Sequence, residues 1–83
     1  GSIYQTLVDK GLQLWNGGNK TQAQEYFLAS LKIRPDNPEA MFYAGRLYQD
    51  AGDTENANAL FDKVVGEHGD TEYAERARNA RGY

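Results

Sequence analysis

Few side chains in this protein are suited to covalent or acid–base chemistry, and their spacing gives them little to work with. His68 is the one histidine, set between Glu67 and Gly69 where an apolar-periodic segment ends; a helix dipole mildly favours a cation there. A catalytic imidazole needs a nucleophile or an orienting acid beside it. The chain offers no Ser/His/Asp arrangement and no cysteine, which also excludes a disulfide framework and a Cys-based zinc site. Asp50, Asp53 and Glu55 cluster at a turn without calcium-loop spacing, so they read as a solvated turn and a helix start. Asn19-Lys20-Thr21 fits the N-glycosylation triplet, a pattern that chance produces often, and Asn19 already suits the turn it occupies. The run 75–81 carries three arginines on a helical pattern and reads as a solvated cap, with an anionic lipid or phosphate surface as the lesser option. There is no Gly-rich loop to cradle a phosphate. These residues point away from an enzyme, a cofactor and a metal.

The bulk composition narrows the classes further. Eighty-three residues make one small domain with a thin core. Nine Lys+Arg stand against twelve Asp+Glu, a net charge of −3, which argues against a nucleic-acid face built on clustered positive charge. No apolar run approaches the roughly 20 residues that span a bilayer, so direct membrane contact is not expected. Gly1-Ser2 reads as a remnant of protease cleavage, leaving residues 3–83 as a single domain. The compartment is left open by the sequence.

The elements that must position any site are helical. Ile3, Leu7, Gly11 and Leu14, with Val8 and Leu12 beside them, predict a helix over about 3–16. Asn16-Gly17-Gly18-Asn19 is a turn in which Gly supplies positive φ. Asn19 or Thr21 caps a second helix carrying Ala23, Phe27, Leu28, Leu31 and Ile33 and ending before Pro35. Asn37 caps a third, about 38–51, with Pro38 at its first position and Met41, Ala44, Gly45, Leu47 and Tyr48 on its inner side. A fourth runs over about 54–67 with Ala57, Leu60, Phe61, Val64 and Val65. A fifth, capped by Asp70 or Thr71 and reaching about residue 82, has only the small stripe Ala74, Ala77 and Ala80.

These helices are copied at one interval. Gly11 and Gly45, Gly18 and Gly52, Ala23 and Ala57, and Phe27 and Phe61 are each 34 residues apart. A fixed period in that range marks stacked supersecondary units with an extended surface for a partner. The pattern resembles the tetratricopeptide repeat (TPR) family. Counting from Tyr4 and from Pro38, it has a large apolar residue at position 4 (Leu7, Met41), a small one at 8 (Gly11, Gly45) and a bulky one at 11 (Leu14, Tyr48). Gly follows at 15, Ala at 20, an aromatic at 24 and a small residue at 27 (Ser30, Val64); proline is expected at 32, where Pro35 matches and Gly69 departs. The resemblance implies an all-α solenoid of antiparallel helix hairpins with about five helices: repeat 1 over about 4–37, repeat 2 over about 38–71, and a capping helix over about 72–82. Gly11 is expected to face Ala23, and Gly45 to face Ala57, where the helices of a hairpin cross, with Phe27 and Phe61 filling the space between hairpins.

In that arrangement the first helix of each hairpin lines a concave groove. The resemblance places Gln5, Val8, Leu12, Trp15 and Asn16 there, then Glu39, Phe42, Arg46, Gln49 and Asp50, with Tyr43 at the wall and Tyr73, Arg76 and Tyr83 from the capping helix. Aromatic and arginine residues dominate binding energy at interfaces, so the implied function is a scaffold that holds a peptide or helix of a partner protein. The bland alternative is that Trp15 and Phe42 pack over the adjacent helix. Chaperone-binding members of the family grip a terminal carboxylate with Lys, Asn and Arg; the corresponding positions here are Val8, Leu12, Tyr43, Tyr73 and Ala77, none of which carries the cationic or amide group that grip uses. That mode is therefore not expected. Two further readings stay open: a self-association module stacking through the solenoid ends, and a structural spacer within a larger protein.

Overall fold

The computed structural model describes residues 2–82. Gly1, half of the pair read as a cleavage remnant, and Tyr83, one of the groove candidates, lie outside the described residues. Five α-helices follow one another: α1 (Ile3–Asn16), α2 (Lys20–Ile33), α3 (Pro38–Asp50), α4 (Thr54–Glu67) and α5 (Glu72–Arg81). No strand occurs among the described residues.

The 34-residue interval is visible in the backbone. Gly18 and Gly52 take φ of 87° and 81°, left-handed values that glycine adopts without steric cost. Around them the turns repeat bond for bond. The Gly18 N–H donates to the Trp15 carbonyl and the Asn19 N–H to Leu14, while Gly52 donates to Gln49 and Asp53 to Tyr48. Both turns therefore fold the chain back at the same angle and make α1–α2 and α3–α4 equivalent hairpins.

Capping divides the helix starts. The Asn37 side chain accepts from the Glu39 N–H, Asp53 from the Asn56 N–H and Thr71 from the Ala74 N–H. Asn19 occupies the cap position of α2, but neither it nor Thr21 makes a side-chain cap bond. The acidic turn residues are thereby accounted for structurally. Asp53 also accepts from the Asn56 amide, and Asp50 pairs with Lys20 at 3.4 Å.

Each hairpin has its own core, and the two cores share residues. One gathers Val8, Ala23, Phe27, Ala40, Ala44 and Leu47; the other gathers Met41, Phe42, Ala57, Phe61, Val64, Ala74 and Ala77. Leu31, Tyr43 and Leu60 pack against both. α3 is thus buried on two sides. Ala40 and Ala44 meet the first hairpin, whereas the equivalent Thr6 and Lys10 of α1 are exposed.

The conserved spacing of glycine and phenylalanine has a direct cause. A Cβ built on Gly11 would stand 2.6 Å from a ring carbon of Phe27, and one on Gly45 would stand 2.7 Å from the same carbon of Phe61. Both rings are fully buried. Each glycine makes room for the phenylalanine of its own hairpin, whose ring carbons are the nearest atoms an added Cβ would meet. Phe27 does reach the next hairpin as expected, its ring centre 5.4 Å from that of Tyr43.

Other placements differ from the sequence pattern. Ile33 lies on the apolar spacing of α2 but is 53% exposed at the helix end. Ser30 is fully buried, its hydroxyl donating to the Tyr4 carbonyl at 2.8 Å. α5 packs on α3 and α4 with Ala74 and Ala77 fully buried and Ala80 half-buried, while Glu75 and Asn79 are exposed where earlier first helices have Met41 and Gly45. Its arginines are tied back: Arg78 donates to the Gly69 carbonyl and Arg81 to Asp62.

Candidate functional site

α1, α3 and α5 lie side by side, and their shared face carries a continuous aromatic row. Trp15 meets Tyr43 edge-on, with ring centres 6.0 Å apart and planes at 88°. Tyr43 meets Tyr73 in the same way, 5.9 Å apart at 74°. Rings in this geometry attract beyond what area burial supplies, by about 0.5–1.5 kcal/mol per pair. All three are half-buried, so part of each stays accessible.

A polar ladder runs beside the row. Glu39 of α3 accepts from the Gln5 amide of α1 through one carboxylate oxygen (3.3 Å) and from the Tyr73 hydroxyl of α5 through the other (2.9 Å). Gln5, Glu39 and Tyr73 are successive copies of one repeat position. The ladder therefore ties the three first helices together with both Glu39 oxygens occupied. Burial, then the hydrogen bond to Glu39 and the neighbouring Tyr43, push the Tyr73 hydroxyl well above the ordinary tyrosine range. It stays a proton donor throughout the neutral range.

The expected groove residues fall into two sets. Gln5, Leu12, Trp15, Glu39, Tyr43, Arg46 and Tyr73 are half-buried, and Gln49 and Arg76 are exposed. Asn16 and Asp50 are exposed as well, beside the turns. Val8 is fully buried and Phe42 only 5% exposed, so neither offers surface to a partner. Val8 belongs to the core of the first hairpin. Phe42 is covered because α5 packs over it, its ring 6.1 Å from Tyr73 and 6.1 Å from Phe61. For Phe42 the packing alternative holds, and it forms the floor of the face rather than an anchor.

Recesses open on two sides of α3 among the described residues. One, of about 600 Å³, lies between α3 and α5 and is lined by Phe42, Arg46, Gln49, Arg76, Asn79 and Ala80. Four of those six were expected at the groove; Asn79 and Ala80 were not, because the pattern marked the last turn of α5 only as a cap. The second, of about 400 Å³, lies between the start of α2 and the end of α3, over Leu28, Leu47, Tyr48 and Gln24. The sequence carries a signal for it: the repeat equivalents of Leu28 and Leu47 are Asp62 and Arg81, which close the next junction as an ion pair at 3.1 Å.

His68 caps the C-terminal end of α4, with its carbonyl accepting from the Thr71 hydroxyl and its Nε2 buried without a partner. Among the described residues no three His, Cys, Asp or Glu side chains are placed to hold a metal, and no helix is long and apolar enough to cross a membrane. A family model described as tetratricopeptide repeat matches residues 18–80 of the chain. No curated protein matches it significantly.

Proposed function

Because the chain belongs to the tetratricopeptide repeat family, we propose that it is a non-catalytic binding module whose α1–α3–α5 face holds a helical or extended peptide of a partner protein. Repeats of this family generally mediate protein–protein interaction, and the family is typically non-catalytic. What supports the finer reading is the half-buried row Trp15–Tyr43–Tyr73, which crosses three helices and stays partly accessible. Rigid aromatic rings give large contact area at low conformational cost, which is what an apolar stripe on a partner needs. Leu12 extends the apolar strip along α1, and Arg46 and Arg76 add charge at its edge. The chaperone-tail mode is not proposed: Val8 and Ala77, at two of its positions, are buried apolar residues.

The test is selection of peptides from a random library on the folded domain, followed by Leu12→Asp and Trp15→Gln variants that retain a cooperative thermal melt. Loss of peptide binding by at least about tenfold, or about 1.4 kcal/mol, is expected for each. Unchanged affinity in both variants would remove the face from the account. A second reading, self-association, draws on Ile3 (70% exposed) and Ile33 (53% exposed). These sit at one end of the first hairpin, where Arg34 also stacks on Tyr4. Light scattering across protein concentration separates the two readings, since a peptide-binding module of this kind stays monomeric.

A further inference from the structure

We propose that the recess between α3 and α5 is a subsite for one carboxylate side chain, an Asp or Glu of the peptide bound along the aromatic row; the inference rests on the peptide-binding reading above. The recess is lined by two arginines, Arg46 and Arg76, together with Asn79 and Phe42. Among the described residues no carboxylate lines it. In a chain of net charge −3 it is a local inversion of sign.

Arg46 makes the case. It is half-buried, its Nε is shielded from solvent with no hydrogen-bond partner, and it takes no part in the ion pairs formed among the described residues: Lys20–Asp50, Arg34–Asp36, Arg76–Glu72 and Arg81–Asp62. A partly desolvated guanidinium without a counter-ion is unfavourable, and a carboxylate entering the recess relieves that while forming charge-assisted bonds. The nearby acids are committed elsewhere. Both Glu39 oxygens are taken by Gln5 and Tyr73, and Asp50 is paired with Lys20.

The second guanidinium is held in place. Arg76 sits 5.4 Å over the Tyr73 ring, and its 3.4 Å contact with Glu72 joins two exposed side chains, a pairing easily exchanged for another. Glu72 balances much of the Arg76 charge and leaves roughly one positive charge, that of Arg46, to be met. A singly charged carboxylate matches this better than a doubly charged phosphate. The Gln49 amide is spent on the Ala80 carbonyl at 2.8 Å, which anchors the wall between α3 and α5 rather than serving a ligand.

The experiment uses a random peptide library displayed as fusions, so that only side-chain carboxylates are offered, and selected on the wild-type domain and on an Arg46→Gln/Arg76→Gln variant. Wild type is expected to enrich an acidic residue at a fixed spacing from the apolar ones. It should bind a selected peptide at least about tenfold tighter than the same peptide with that acid replaced by its amide. The double variant is expected to enrich the apolar residues alone and to lose the tenfold discrimination. Arg76→Gln alone, at an exposed site, keeps the test valid should the double variant fold poorly, and is expected to lose part of the discrimination. Equal wild-type affinity for acid and amide peptides overturns the subsite while leaving peptide binding intact. Enrichment of no peptide at all overturns the peptide-binding reading, and the subsite with it. Tighter binding of a phosphoserine peptide than of its aspartate counterpart overturns the carboxylate assignment in favour of phosphate.

Discussion

Gly45→Ala sets two well-measured effects against each other. In a helix interior the change to alanine is ordinarily stabilising, by about 1 kcal/mol, because glycine gives up more backbone freedom on folding. At Gly45 the added Cβ arrives 2.7 Å from a ring carbon of Phe61. That ring is fully buried and is packed against Phe42, 6.1 Å between centres, so it has no open direction in which to move. Overpacking of this kind costs about 1–3 kcal/mol. The packing term wins, leaving a net loss of about 1 kcal/mol, which in a domain of this size lowers Tm by about 4–8 °C. Gly66 of α4 is the internal control: a Cβ there meets nothing within 4 Å, so Gly66→Ala raises Tm by the propensity gain alone, about 0.5–1 kcal/mol. Thermal melts followed by circular dichroism compare the two. A Gly45→Ala protein that melts higher than wild type, as Gly66→Ala does, would show that the glycine–phenylalanine contact does not set the helix spacing. A double-mutant cycle with Phe61→Leu sharpens the test, since trimming the ring is expected to recover at least about 0.5 kcal/mol of the Gly45→Ala loss.

Phe61→Ala empties the core of the second hairpin and is expected to cost about 3–5 kcal/mol in denaturant titrations, enough to bring a small domain close to unfolding. Asp53→Ala removes a side chain that caps α4 and costs about 1 kcal/mol, whereas Asn19→Ala, whose side chain makes no cap bond, costs only a few tenths; equal losses would contradict the capping pattern. The folded protein holds the Tyr73 proton more tightly than the unfolded chain does. Its contribution to stability is therefore complete below the ordinary tyrosine value of 10.0 and declines as pH rises past it. Tyr73→Phe is expected to flatten that alkaline decline in melts recorded across pH, and an unchanged slope would remove Tyr73 as its source.

Most of the architecture was legible because one interval is written twice. Paired glycines, alanines and phenylalanines fixed the register of four helices, and Asn37-Pro38 and Thr71 marked two of the caps. The ring beside each glycine was not legible. Periodicity places Gly11 on the inner side of its helix but does not show that the Phe27 ring lies nearest to it. Of the residues placed on the face, Trp15, Tyr43 and Tyr73 do adjoin one another, whereas Val8 and Phe42 are buried. Val8 lies on the same helix as the groove candidates, but at a position turned into the core of its own hairpin. Phe42 is covered from two sides, by Phe61 of its own hairpin and by α5 stacked on α3, and the second is a tertiary event that spacing within one repeat does not encode. The recess over Leu28 and Tyr48 shows the converse: it arises where the two copies differ, so a reading built on what repeats passes over it.

The most direct measurement of the central claim is chemical-shift mapping of the isotope-labelled domain with a peptide selected from the random library. Perturbations are expected to concentrate on Trp15, Tyr43, Arg46 and Tyr73, with the face of α2 and α4 unmoved. Perturbations confined to the recess over Leu28 and Tyr48, or to Ile3 and Ile33 at the end of the first hairpin, would contradict it.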